Sequence, residues 1–134
     1  MKAFRIPLVP ATASGATAFS TAITGGGWLE AVRLVRPTTN QLATTVKLTI
    51  TDELTGQTLF DATATSTGSQ TWYPRALLYD VNANPVGYTS DPGSASSPRV
   101  VDKFPVAANS RFRVVVASGG ANTSGVLHLY LSGA

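Results

Sequence analysis

Apolar and polar residues alternate with a period of two along most of this chain, and the 3.6-residue period of a helix is nearly absent. Phe4, Ile6 and Leu8 share one face of a first predicted strand, and Thr17, Phe19 and Thr21 mark a short second one. Gly25-Gly26-Gly27 turns the chain into Trp28–Arg36, where Leu29, Ala31 and Val35 are expected to oppose Glu30 and Arg36 until Pro37 ends the run. The cleanest half-buried pattern comes next. Val46, Leu48 and Ile50 point one way, and Thr45, Lys47, Thr49 and Thr51 the other. Asp52–Gln57 reads as a hairpin connection into a strand at Thr58–Asp61.

Beyond the small residues at 62–69, Thr71-Trp72-Tyr73 opens a strand that Pro74 interrupts, which predicts an edge position or a bulge, with Ala76–Tyr79 continuing it. Residues 80–99 are dense in Asn, Pro, Gly and Ser and form the longest irregular segment, a length typical of functional or flexible loops. Val100–Val106 is a strand weakened by Pro105; Phe112, Val114 and Val116 line one face of the next; Ser118–Asn122 turns back, and Gly125–Leu131 closes the chain. About eight short strands in one domain, residues 1–134, predict an all-β, antiparallel, jelly-roll-like sandwich, with an up-and-down barrel as the alternative topology. Phe112 is expected in the core.

Composition narrows what such a sandwich is for. The chain is 43% hydrophobic but only 13% charged, against about 25% charged in an ordinary soluble domain. Thr, Ser, Asn and Gln fill the polar positions, and a surface so poor in ions costs little to desolvate against a neighbour. With no Cys, neither a disulfide framework nor a thiolate metal site is possible. The ten Lys and Arg behind the net charge of +3 are scattered and form no run of the kind a nucleic-acid reader carries. No stretch reaches the ~18 apolar residues of a membrane span. Arg5, Pro7 and Pro10 interrupt what would be the apolar part of a signal peptide, so the start of the chain is expected to be mature protein without a secretion signal.

Candidate chemistry is sparse. His128, the only histidine, falls mid-strand in the pattern Val126, His128, Tyr130 and reads as a structural or surface residue, not a catalytic base. Asp52 and Glu53 are adjacent at a hairpin, where Asp commonly shapes the turn. Asp80, Asn82, Asn84 and Asp91 echo the spacing of a calcium loop, but Pro85 stands where that loop requires glycine, and the segment reads as a turn. No catalytic residue, metal or cofactor is expected, and the chain is expected not to be an enzyme. The candidate binding residues are Trp72, Tyr73 and Arg75, with Tyr88 and Arg99 from the long loop, because aromatics and Arg are enriched at interface centres. Trp72 as a cap on the sandwich core is the competing reading, and Trp28 and Tyr130 are expected in the core or on a sheet face.

Several blocks, in order, carry a resemblance. They are KAFRIPLVPATASGATAFS, WLEAVRLVRP, KLTITDELTGQTLF, TWYPRALLYD and SRFRVVVASGGANTSGVLHLYL. Together they cover nearly the whole chain, which resembles the small proteins encoded in the structural modules of tailed bacteriophages, among them capsid decoration (cement) proteins. The resemblance implies a β-sandwich or jelly roll on the exterior of a virion, made in the host cytoplasm. It also implies binding to the major capsid protein and to other copies of the chain, as a dimer or trimer, without nucleic acid or membrane. It brings no catalytic residues with it. A tail-associated module binding carbohydrate or receptor, with Trp72, Tyr73 and Tyr88 as a stacking platform, is the alternative.

Overall fold

The computed structural model describes residues 2–10, 15–65, 68–77, 81–84 and 101–133. They form β1 (Lys2–Leu8), β2 (Ala16–Phe19), β3 (Gly27–Val35), β4 (Lys47–Asp52), β5 (Thr58–Thr63), β6 (Gln70–Trp72), β7 (Ala76–Leu77), β8 (Val101–Asp102), β9 (Phe104–Val106), β10 (Phe112–Ala117) and β11 (Gly125–Ser132). Among the described residues no helix is long and apolar enough to cross a membrane.

One sheet runs β1-β11-β3-β6, with β9 also paired to β3, and the other runs β2-β10-β4-β5. Setting aside the short β7–β9, the eight remaining strands pair first with eighth, second with seventh, third with sixth and fourth with fifth, all antiparallel. The pairs β11·β3 and β10·β4 then join these ribbons edge to edge. A four-ribbon stack rolled in this way is a jelly roll, so the barrel alternative is set aside. The chain β7–β9 is an insertion between the sixth and seventh strands of the roll. β7 does not prolong β6 in its sheet but pairs with β8 in a ribbon of its own.

The core is the sum of the inward-facing alternate positions. Ile6 and Leu8 of β1, Leu48 and Ile50 of β4, Phe112, Val114 and Val116 of β10, and Leu127, Leu129 and Leu131 of β11 are all buried, with Val46 just ahead of β4. Two aromatic pairs bridge the sheets. Phe4 meets Phe112 edge to face at 5.6 Å, and Phe60 meets Trp72 at 5.2 Å with a 57° tilt. β2 ends at Phe19, so Thr21 lies beyond it; Thr17 and Phe19 face out, and Ala18 packs toward the core.

The simple alternation expected for β3 fails, and a bulge is the reason. Tyr130 pairs with Ala31 but Leu131 pairs with Leu29, so Glu30 is an extra residue and the parity flips after it. The inward set is therefore Leu29, Val32 and Leu34, with Ala31, Arg33 and Val35 outside. Arg36 is not on the solvent side either. It is 9% exposed, and its Nη1 donates to the carbonyls of Leu42 and Ala43 beyond the strand end. A second bulge, at Ile50/Thr51 against β5, lets the consecutive Leu59 and Phe60 both be buried.

Two local features hold the turns. Gly26 has φ +65°, and a Cβ there would sit 2.7 Å from the Val106 carbonyl oxygen, so the entry into β3 needs glycine. At the far end of β4, Asp52 is 1% exposed. Its Oδ1 accepts from the Ser110 hydroxyl and the Leu54 and Thr55 amides, and its Oδ2 accepts from the Ala107 amide at 3.0 Å. Burial pushes this carboxyl's pKa up, but the Ser110 hydroxyl and the three amides outweigh it and hold the group below its ordinary value. Asp52 shapes the hairpin as expected, and it also ties that hairpin to the approach to β10.

Two outcomes follow. Phe112→Ala should lower unfolding free energy by roughly 3–5 kcal/mol in urea titration, because a fully buried ring leaves a cavity between the sheets. Because the folded-state pKa of Asp52 is depressed, its contribution is complete above the unfolded value of about 3.9 and lost as pH falls through the folded one. Asp52→Asn should therefore be less stable at pH 7 and show a shallower loss of stability below about pH 4 in a pH series of melts. An unchanged slope would show that Asp52 is not the group responsible.

Candidate binding surface on the outer face of the first sheet

Register places the outward side chains of β1, β11, β3 and β6 in rows running across the strands. Pro7, Val126 and Val35 make an apolar row; Arg5, His128, Arg33 and Thr71 make a polar one; Ala3, Tyr130 and Ala31 make the next. The apolar row continues into a groove of about 250 Å³ lined by Pro7, Val9, Val35, Pro37 and Val126. In the polar row, Arg33 Nη1 donates to Thr71 Oγ1 at 2.8 Å, and among the described residues no carboxylate pairs with Arg5 or Arg33. The His128 and Tyr130 rings, two residues apart on β11, lie nearly parallel at 6.5 Å.

At the lower edge of this face the bulged Glu30 gathers four chain segments. Its Oε1 accepts from Lys103 Nζ at 2.5 Å and from Ser132 Oγ at 2.7 Å, and its Oε2 lies 3.9 Å from Arg75 Nη2. Arg75 also donates to the carbonyls of Glu30 and Pro74. The Lys103 ammonium and then the Ser132 hydroxyl hold the Glu30 carboxyl below its ordinary pKa. Glu30 is thus neutralised where it stands, and the face above it keeps two guanidiniums that pair with no carboxylate among the described residues.

The second sheet presents a different outer surface. Phe19, Arg113 and Thr51 form one row, and Thr17, Val115, Thr49 and Asp61 another. Two of the cations on or beside this face have a carboxylate partner. Lys47 lies 3.6 Å from Asp61, and Arg111 is paired with Glu53 while its guanidinium stacks 3.9 Å over the Phe19 ring.

The sequence-predicted binding residues divide accordingly. Trp72 pairs in register with the buried Val32, is half-buried and packs against Phe60, so it serves the core edge. Tyr73, one residue on, is 68% exposed. The two rings therefore face opposite ways and make no joint stacking platform. Arg75 is taken up in the Glu30 cluster. Tyr88 and Arg99, like Asp80 and Asp91 of the calcium-like spacing, lie outside the described residues. Trp28 is 42% exposed, in register between Ser132 of β11 and Pro105 of β9 and beside Gly133, so of its two expected places it takes a sheet face and not the core; Tyr130 is on the sheet face as well. Sequence reasoning missed the row Arg5–His128–Arg33. Alternation put His128 on a face, but only strand pairing shows which cations stand beside it.

Among the described residues no group of three or more His, Asp or Glu side chains is placed to hold a metal ion. In comparison with known proteins, the chain matches no family model, no curated protein and no solved structure.

The opposite orientations of Trp72 and Tyr73 are open to a direct check. Trp72→Ala should cost roughly 2–3 kcal/mol, somewhat below the ~3–5 of a fully buried ring, whereas Tyr73→Ala should stay within about 0.5 kcal/mol of the parent in thermal melts. Equal losses would mean that Tyr73 also packs.

Proposed function

We propose that this chain is a structural protein of a tailed-bacteriophage particle, a capsid decoration (cement) protein. In this reading it docks through the outer face of its first sheet across neighbouring capsid subunits and adds contacts that oppose the outward pressure of packaged DNA. The observation that carries the reading is that face itself. It is broad, with an apolar groove on one side, guanidiniums that pair with no carboxylate among the described residues in the middle, and exposed aromatics on the other. Aromatics and Arg are the residue types that dominate the centres of protein interfaces, and few ions need to be stripped of water to bury it.

The magnitudes are compatible with a clamp. β1, β11 and β3, seven to nine residues long and about 4.8 Å apart, with the three-residue β6 beside them, make a face up to roughly 19 by 24 Å. One standard contact of about 800 Å² per partner covers such a face. The whole surface is 7336 Å², so contacts to the shell and to sister copies, as a dimer or trimer, leave most of it in solvent. The jelly roll is itself a recurrent architecture of viral shell proteins and of lectins, so fold analogy is compatible with this reading and does not single it out.

A second reading has one observation in its favour. Tyr73 and Trp28 are exposed, and a tail-associated module could stack sugars on them. Two experiments separate the readings. Mixing the purified chain with undecorated shells of the same virus and imaging the particles should give regular added density and shells that survive higher temperature. Shells left bare at every salt concentration would sink the cement reading. Binding on a glycan array that Tyr73→Ala abolishes would establish the recognition module in its place.

A further inference from the structure

Arg5, His128 and Arg33 come from three strands that are far apart in sequence, yet they stand side by side in one line across β1, β11 and β3. Their backbones stand two strand spacings apart, about 10 Å. Like charges gathered on one sheet face are unfavourable, and folding alone gives no reason to collect them. Several carboxylates that could answer them are engaged elsewhere. Glu30, Glu53 and Asp61 each have a cation beside them, and Asp52 is buried in amides and a hydroxyl. Arg5 has no carboxylate near it among the described residues, and the one bond of Arg33 is to the neutral Thr71.

We propose that this row is a recognition site for an acidic protein segment, whose carboxylates Arg5 and Arg33 take as charge-assisted pairs. The proposal rests on reading the face as a docking surface, and it names the chemistry of what docks. Guanidiniums present paired N–H donors that match a carboxylate, and His128 between them adds a further polar contact. On an extended segment side chains at even separations share one face, about 7 Å apart for residues two apart and about 13 Å for residues four apart, a range that two long Arg side chains can meet. The flanks fit the same occupant. On one side the groove at Pro7, Val35 and Val126 takes apolar side chains, and on the other Tyr130 offers a ring.

Other occupants fit less well. A nucleic acid is held by neutralising a series of phosphates along its backbone, and two guanidiniums flanked by an apolar groove are a poor track for it. A second copy docking face to face by two-fold symmetry would set Arg5 and Arg33 against the same cations. The row is thus a device for choosing a partner of opposite sign, and it excludes self-pairing through this face.

The full chain would be titrated with a short peptide carrying three Glu residues at alternate positions among Ala and Val, with its Gln counterpart and a DNA duplex as separate arms, followed by NMR. The expected result is amide and arginine side-chain shifts confined to the strands around Arg5, His128 and Arg33. Binding should weaken at least tenfold in the double variant Arg5→Gln/Arg33→Gln and stay unchanged in Lys47→Gln/Arg113→Gln on the opposite sheet. Dispersed spectra of the variants would confirm that they fold. Any of four results would overturn the assignment: no peptide binding, equal binding of the Gln peptide, tighter binding of the duplex, or shifts spread over both sheets. A parallel assay on capsid shells separates the two levels. If shells bind the parent and the double variant equally, the row is wrong while docking stands. If shells bind neither but the peptide result holds, the acidic-segment site stands and the capsid reading falls.

Discussion

The structure depends on keeping one shared apolar layer filled from both sides. Each sheet contributes its inward alternate positions, and Leu, Ile, Val and Phe from β1, β4, β10 and β11 meet at the midplane with the Phe4–Phe112 and Phe60–Trp72 pairs as pins. A shift of any strand by one residue would exchange its core set for its solvent set, so register is under strong control. The outer faces inherit that control. Which cations, rings and hydroxyls stand together on the surface is decided by residues that never reach it.

The bulge at Glu30 shows how the inside and outside are coupled. The extra residue lets β3 bury Leu29, Val32 and Leu34 while sending Arg33 and Val35 out. It also frees the Glu30 side chain to take Lys103, Ser132 and Arg75, which fastens the β7–β9 insertion to the end of the first sheet. At the other end of the sandwich Asp52 does a comparable job between the β4–β5 hairpin and the start of β10. These two carboxylates serve as fasteners. Their hydrogen-bonding capacity is used within the fold, which is why both sit below the ordinary carboxylate pKa range.

The contrast between the two outer faces bears on function. The second sheet is coated with threonines and pairs Lys47 and Arg111 with carboxylates, whereas the first carries two arginines that pair with no carboxylate among the described residues, between an apolar groove and aromatic side chains. If a partner covers this protein, the first sheet has the more to gain from it. Its guanidiniums need a counter-charge, and its apolar row is only half-covered. That asymmetry turns a general statement about an ion-poor surface into a proposal about one face and one kind of partner.

Period-two alternation was enough to place nearly every strand and most of the core: Val46, Leu48 and Ile50, Phe112, Val114 and Val116, and the leucines of β11 needed nothing beyond their own neighbours. The edge character of the strand before Pro74 and the turn role of Asp52 were legible for the same reason, since backbone donors and turn geometry are local properties. The bulge in β3 was not, because an extra residue is defined only against a partner strand. Nor was the line Arg5–His128–Arg33, whose members lie more than 120 positions apart at the extremes and are brought together by the roll. Local sequence sets which way a side chain points relative to its own strand; only tertiary pairing decides which side chains it points beside.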